Sequence, residues 1–286
     1  MLINYISDLN DFLKDSKVIL CDLWGVIHNG KEVFPDSLNF LECMKNNGVK
    51  VIFISNAPRP SSVVRQGLID KLNLSENLFH SIISSGDIAI KMINKLDHGK
   101  KYFHMGPEKD QDLLLDIKIQ QVENLNDSDF VLCTGFDNDE LEAPNDYRDI
   151  LQEMIQLELP MICANPDLIV FRGEKKIFCA GSLAELYSDL GGKVKSYGKP
   201  FQEIYNYAFH SVVSENLVED KSQIVAIGDS IRTDIKGALK FGINSIFVET
   251  GIHKNEINER GDAEKIFSIY LDQINDQVNI VKSLKL

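Results

Sequence analysis

The strongest constraint on this chain is a repeated local pattern: a short β-branched apolar run that stops on a polar residue and is followed by a helix-spaced stretch. Val18–Cys21 (VILC) stops at Asp22, and Ser37–Asn47 then carries Leu38, Phe40, Leu41 and Met44 at helical spacing up to Gly48. Val51–Ser55 (VIFIS) runs into Asn56 and is followed by a helical pattern over Val63–Leu72. Ile224–Ile227 (IVAI) opens onto Gly228-Asp229, Ile235–Phe241 reads as helix, and Ser245–Val248 returns to strand. Strands that are apolar on both faces and alternate with helices predict an α/β fold, a Rossmann-like parallel sheet covered on both sides. Ligands in such sheets sit beyond the C-terminal ends of the strands, which here carry Asp22, Ser55-Asn56 and Asp229.

Residues 86–189 break this rhythm. Short strands are expected at Tyr102–His104, Phe130–Thr134, Met161–Ala164 and Lys176–Cys179, a helix at Tyr147–Leu157, and an acid-rich loop at Asp137–Asp149. The pattern predicts a core built from 1–85 and 190–286, with an α/β cap at 86–189 inserted into it. Asp262–Val281 reads as a C-terminal helix.

Composition removes several classes of function. Thirty basic against 43 acidic side chains leave a net charge of −13, a surface that repels nucleic-acid phosphates and anionic lipid. No run approaches the roughly 18 apolar residues of a spanning helix, and the N-terminus lacks a basic-then-apolar signal pattern. Five widely spaced cysteines without a CxxC pair argue against a disulfide framework or structural zinc and point to a reducing, cytoplasmic setting. An anionic substrate would therefore need a local positive site, from a metal or from placed Lys and Arg.

Four segments fit one chemistry. Asp22, in Asp22-Leu23-Trp24-Gly25-Val26, is a carboxylate exposed at the sheet edge on a turn that Gly25 allows, and such a group can attack phosphorus. Ser55 and Asn56 offer hydrogen-bond donors to phosphate oxygens, and Lys199 of Gly198-Lys199-Pro200 offers a fixed positive charge. Asp229 and Asp234, five residues apart, form with Asp22 an oxygen-ligand set that suits Mg²⁺. Each segment alone has an ordinary reading as turn, cap or acidic loop; the four together, in this order, do not. The Gly192…Gly198-Lys199 spacing is wrong for a P-loop, with five residues between the glycines. Asp137-Asn138-Asp139 lacks the glycine of a calcium loop. Cys163 and Cys179 read as buried strand residues. Arg59 and Arg65, just past the second segment, read as a solvated helix face or as a lure for an anion.

This combination resembles the haloacid-dehalogenase superfamily of phosphotransferases. The strings Gly25–Gly30 (GVIHNG), Ser84-Ser-Gly-Asp87, Asn165-Pro-Asp167 and the Gly181 to Pro200 run are similar to its class IIA branch of sugar-phosphatase and nitrophenylphosphatase-like hydrolases. The resemblance implies an α/β cap between the second and third segments. It makes Asp22 the nucleophile and a Mg²⁺ ligand, and Ser55, helped by the Asn56 backbone, the phosphoryl holder. Lys199 becomes the charge partner of phosphate and Asp22; Asp229 and Asp234 become Mg²⁺ ligands. Asn165 and Asp167 become cap residues in reach of substrate. The expected partner is a small phosphorylated metabolite, with a homodimer possible by analogy only.

One position departs from the family. Most of its phosphatases carry an Asp two residues after the nucleophile, as the acid that protonates the leaving alkoxide. Here that residue is Trp24, whose indole has no useful pKa for proton transfer. The family takes only a backbone carbonyl from this position for the metal, and Trp24 still has one. His28 is the candidate substitute acid, weighed against a loop histidine at the cap hinge. Besides a phosphatase, two alternatives stand: a weak or inactive homologue that binds a phosphorylated ligand, and a metal-independent dehalogenase, which the retention of Asp229 and Asp234 disfavours.

Overall fold

A computed structural model describes residues 2–95, 97–260, 263–271 and 277–286. Its first sheet has seven parallel strands: β1 (Leu2–Tyr5), β2 (Val18–Cys21), β3 (Lys50–Ser55), β4 (Ser81–Ser84) and, much later in the chain, three more. The second sheet and a hairpin lie between, from β5 (Lys101–Met105), β6 (Gln120–Val122), β7 (Phe130–Cys133) and β8 (Met161–Cys163) through β9 (Ile169–Arg172) and β10 (Lys175–Phe178) to β11 (Val194–Ser196). The chain then returns to the first sheet with β12 (Ile224–Gly228), β13 (Asn244–Val248) and β14 (Gln277–Val281). The strand orders are β1-β14-β13-β12-β2-β3-β4 and β11-β8-β7-β5-β6, both sheets being parallel throughout; β9 and β10 form a separate antiparallel pair.

The unbroken apolar runs are explained by burial on both faces. Along β2, Val18 and Leu20 enter one core while Ile19 and Cys21 enter the other; β3 and β12 divide their residues in the same way. Helices Ser85–Ile93 and Gln202–Ser214 cover one face, and Pro35–Asn46 and Ser61–Leu72 the other. The first of these cores also takes in Tyr102, Phe130, Leu132 and Ile162 of the second sheet, so the two sheets share packed side chains. The second sheet's other face packs on helices Arg148–Gln156 and Ala180–Asp189 through Leu151, Met154, Leu183 and Tyr187. Its strands run from Lys101 to Ser196, so β11 lies past residue 189, and helix Ser85–Ile93 packs on β4 of the first sheet.

The C-terminus departs from the helical reading of 262–281. Helix covers Ala263–Tyr270, residues 272–276 lie outside the described residues, and 277–281 form strand β14 between β1 and β13. Its alternation of Val278 and Ile280 is buried, and Asn279 is satisfied by partners distant in sequence: it accepts from Asn4 Nδ2 (2.9 Å) and donates to the Ser245 carbonyl (3.1 Å). No described helix is long and apolar enough to cross a membrane.

Candidate active site

Strands β12, β2 and β3 are neighbours, so Asp229, Asp22 and Ser55-Asn56 emerge side by side at the sheet's C-terminal edge. Asp22 continues the ladder through its N–H to the Ile227 carbonyl (2.8 Å). The chain then folds over itself: Ile27 and His28 donate to Leu23 O, and Gly25 donates to His28 O. None of these bonds uses the Trp24 carbonyl. Gly25 has φ +78°, and a Cβ there would lie 1.9 Å from Asp229 Oδ2; a Cβ on Gly251 would lie 2.1 Å from the same oxygen. Two glycines thus let two turns close on one carboxylate, and Ile252 N–H donates to it at 2.6 Å.

Asp234 is brought back to the strand end by one π-helical turn, Ile231–Ile235, a local form frequent at functional sites. Its Oδ2 accepts from Ser230 N–H (3.1 Å), and its Oδ1 accepts from the Lys199 ammonium at 2.7 Å. The same ammonium lies 2.5 Å from Asp22 Oδ1. Ligand oxygens of Asp22, Asp229 and Asp234 all fall within 4.8 Å of one another. All three residues and Lys199 are buried.

The electrostatics follow from four charges in a dry space. Burial pulls the Lys199 ammonium down, but Asp22, Asp234 and Asp167 together outweigh it and hold its pKa well above the usual lysine value. Burial pushes Asp22 upward, against the opposing charge of Lys199. Asp229 is pushed well above the carboxylate range by burial, then by Asp22 and Asp234. Three carboxylates against one ammonium leave the site short of positive charge, which is the deficit a divalent cation corrects. Hard carboxylate oxygens at this spacing suit such an ion.

In the second segment the Asn56 side chain is taken up by the fold. Ser55 is buried beside the cluster, its Oγ accepting from Ala57 N–H (3.2 Å). The Asn56 side chain is fully engaged: Oδ1 accepts from Lys199 N–H (2.7 Å), and Nδ2 donates to Lys199 O (3.1 Å) and to Asp167 Oδ1 (2.8 Å). It clamps the lysine turn and ties it to the loop after β8. That leaves the backbone of Asn56, and not its amide, for any phosphate. The link to Asp167 had no local signal, since 111 residues separate the two. Asn165 Oδ1 accepts from Asp167 N–H (3.1 Å) and shapes this loop. Burial pushes Asp167 up to about 6.

His28 sits edge-on to Trp24, ring centroids 5.0 Å apart, and its Nδ1 accepts from Gly30 N–H (3.0 Å). Burial lowers its pKa to about 4. Such a ring is neutral at pH 7 and has no readily transferable proton. Arg65 turns away, to Glu76 and over the Phe79 ring. Arg59 pairs with Asp112 (3.2 Å) and lines a cleft beside the site.

Two cavities meet at Asp22, of about 450 and 420 Å³, and share Trp24, Asp167 and Val170 as their partition. The first reaches Asp229, Asp234 and Gly251; the second runs from Ser55 to the loops that follow β5, β7 and β8. Thr250-Gly251-Ile252, which completes the first, follows β13 and is another polar break after an apolar run, a signal present in the sequence but unread.

Residues 19–120 match a family model described as haloacid dehalogenase-like hydrolase, and residues 196–276 match one described as HAD-hydrolase-like. A hydrolase of the haloacid dehalogenase-like family from Brucella suis 1330 is 34% identical in sequence. Its crystal structure superposes with a TM-score of 0.84, covering 96% of this chain and 98% of that one. A possible sugar phosphatase of the same superfamily from Cytophaga hutchinsonii gives 0.74 at 21% identity, with 98% of each chain covered. Among curated proteins, a 4-nitrophenylphosphatase of Schizosaccharomyces pombe is 21% identical over 94% of this chain and 95% of its own length. An acid sugar phosphatase of Staphylococcus epidermidis is 20% identical, over 85% and 90% respectively.

Proposed function

Because the chain belongs to the haloacid dehalogenase-like hydrolases, we propose that it is a Mg²⁺-dependent phosphatase of small phosphorylated metabolites that works through Asp22. The observation that carries this reading is the cluster of Asp22, Asp229 and Asp234, with ligand oxygens within 4.8 Å and Lys199 bonded to two of them. The relatives named as phosphatases support it.

Asp22, Asp229, Asp234 and the Trp24 carbonyl would hold the ion. Bound there, Mg²⁺ would supply positive charge for phosphate oxygens and favour the carboxylate form of Asp22. Asp22 attacks phosphorus, the bond from phosphorus to the ester oxygen breaks, and an aspartyl phosphate forms. Lys199, held by Asn56, compensates the charge gathering on the phosphoryl oxygens, while Ser55 and the Asn56 backbone orient them. Water then cleaves the aspartyl phosphate. No proton donor follows the nucleophile, since Trp24 occupies that place and His28 is held neutral, so esters of acidic alcohols should react best. Loops that follow strands of the second sheet, Asn165 and Asp167 among them, help line the cleft beside Asp22, the place of a cap. A halide-releasing site gains nothing from three buried carboxylates, and nothing in the geometry favours that alternative.

The test is hydrolysis of 4-nitrophenyl phosphate with Mg²⁺ or with EDTA, by wild type and Asp22→Asn. Turnover that needs Mg²⁺ and is lost in the variant is expected. Equal turnover by both proteins would overturn the nucleophile, and full turnover in EDTA would overturn the metal.

A further inference from the structure

We propose that the cavity of about 420 Å³ beside Asp22 holds the organic part of the substrate, and that this part is a hydroxyaryl group whose hydroxyl donates to Asp110. The inference rests on the phosphatase reading and narrows its substrate class.

Asp22 and Ser55 stand at the chemical end of this cavity. Its walls include Trp24, Val64, Leu68, Val170 and Phe178. A flat ring buries its faces well against these side chains. An aryl ester also suits the chemistry, because a phenol of pKa about 10 leaves without the proton that Trp24 cannot give.

Asp110 and Thr134 also line this cavity, and both are almost fully buried, 2% and 3% exposed. Asp110 ends the short turn Glu108–Asp110, and Thr134 follows β7. Burial holds the His104 ring neutral, at about 4, and its Nε2 is 3.0 Å from Thr134 Oγ1. The Thr134 hydroxyl also acts on the Asp110 carboxylate, drawing its pKa down against the burial that raises it. With His104 Nε2–H donating to Thr134, the Thr134 proton is left free on the side of Asp110. The Asp110 carboxylate, buried on the cavity wall, keeps acceptor capacity for a ligand. Among the described residues, Lys109 and Arg59 are the cations that act on Asp110, and both are engaged, with Asp139 (2.5 Å) and Asp112 (3.2 Å). A neutral hydroxyl is the donor that meets this acceptor without bringing a further charge into a buried place. Neither Asp110 nor Thr134 has a part in the phosphoryl chemistry, so their burial at the cavity is otherwise unexplained.

Trp24 is the chain's single tryptophan and lines the cavity, so its fluorescence reports occupancy. Titration in Mg²⁺ with benzylphosphonate, its 3- and 4-hydroxy derivatives and a sugar phosphonate measures binding without turnover. One hydroxy derivative is expected to bind about tenfold tighter than benzylphosphonate, the worth of one good buried hydrogen bond, and the sugar phosphonate weakest. In Asp110→Asn, which replaces a carboxylate acceptor by an amide that can also donate, that preference should vanish or invert. Equal affinities in wild type, tightest binding of the sugar phosphonate, or an undiminished preference in the variant would overturn the proposal. Should the variant not fold, the wild-type ranking alone decides. Phosphonate selectivity without hydrolysis of 4-nitrophenyl phosphate would sink the phosphatase reading and leave this recognition standing; hydrolysis without selectivity would sink this proposal alone.

Discussion

The Lys199 ammonium lies 2.5 Å from Asp22 Oδ1, although 177 residues separate the two, and the same nitrogen lies 2.7 Å from Asp234. Removing it leaves two buried carboxylates facing each other. Lys199→Met is expected to lose about 3 kcal/mol in urea unfolding, the scale of a buried pair broken on one side. Turnover should fall about 10²-fold or more. Added Mg²⁺ should recover part of the stability, because it replaces the missing charge.

Asp229 contributes to the pH response of the metal-free protein. Its folded pKa lies well above the ordinary 3.8. Over the pH range between those two values the folded state holds a proton that the unfolded state has released. The stability contribution is therefore greatest at low pH and is lost as pH rises from the unfolded value of 3.8 through the raised folded one. In EDTA, Asp229→Asn should gain on wild type between pH 4 and pH 8 in thermal unfolding. With Mg²⁺ the order should reverse. A constant gap between the proteins at all pH values would contradict this.

Asn56 and Asp167 join the lysine turn to the second sheet through a 2.8 Å bond. A double-mutant cycle of Asn56→Ala and Asp167→Asn should show a coupling of about 1 kcal/mol. A bond to an ionised acceptor is the stronger form, and Asp167 titrates near 6. The coupling should therefore be larger at pH 8 than at pH 5. Turnover in Asn56→Ala should fall through kcat, since Lys199 loses its clamp.

Trp24 makes leaving-group acidity the main determinant of rate. Trp24→Asp should raise hydrolysis of alkyl phosphates by about 10²-fold or more while changing aryl phosphates little. The readout is the slope of log kcat/KM against leaving-group pKa, steep in wild type and flatter in the variant. Alkyl esters already fast in wild type would refute the argument.

Gly30 has φ +80°, and a Cβ there would sit 2.4 Å from Trp24 Cη2. Gly30→Ala adds backbone strain to that overlap, and each costs about 1–3 kcal/mol. The sole tryptophan would have to move, so its emission maximum should shift together with a lowered Tm.

The sequence by itself determined the α/β class and the strand ends that carry Asp22, Ser55 and Asp229. Runs such as VILC and IVAI record burial on both faces, and a polar residue that stops such a run must sit at the sheet edge. Those signals are local. Everything that depends on a partner far along the chain was decided by tertiary structure. The stretch 277–281 became a strand because β1 and β13 offer it ladders on both sides. The Asn56 amide turned toward Lys199 and Asp167 because a buried amide must satisfy its oxygen and its nitrogen wherever the fold provides partners. His28, polar in sequence, became a neutral ring against Trp24 because the turn buries it. Charge and hydropathy patterns are carried residue by residue, whereas hydrogen-bond partners and desolvation exist only once distant segments meet.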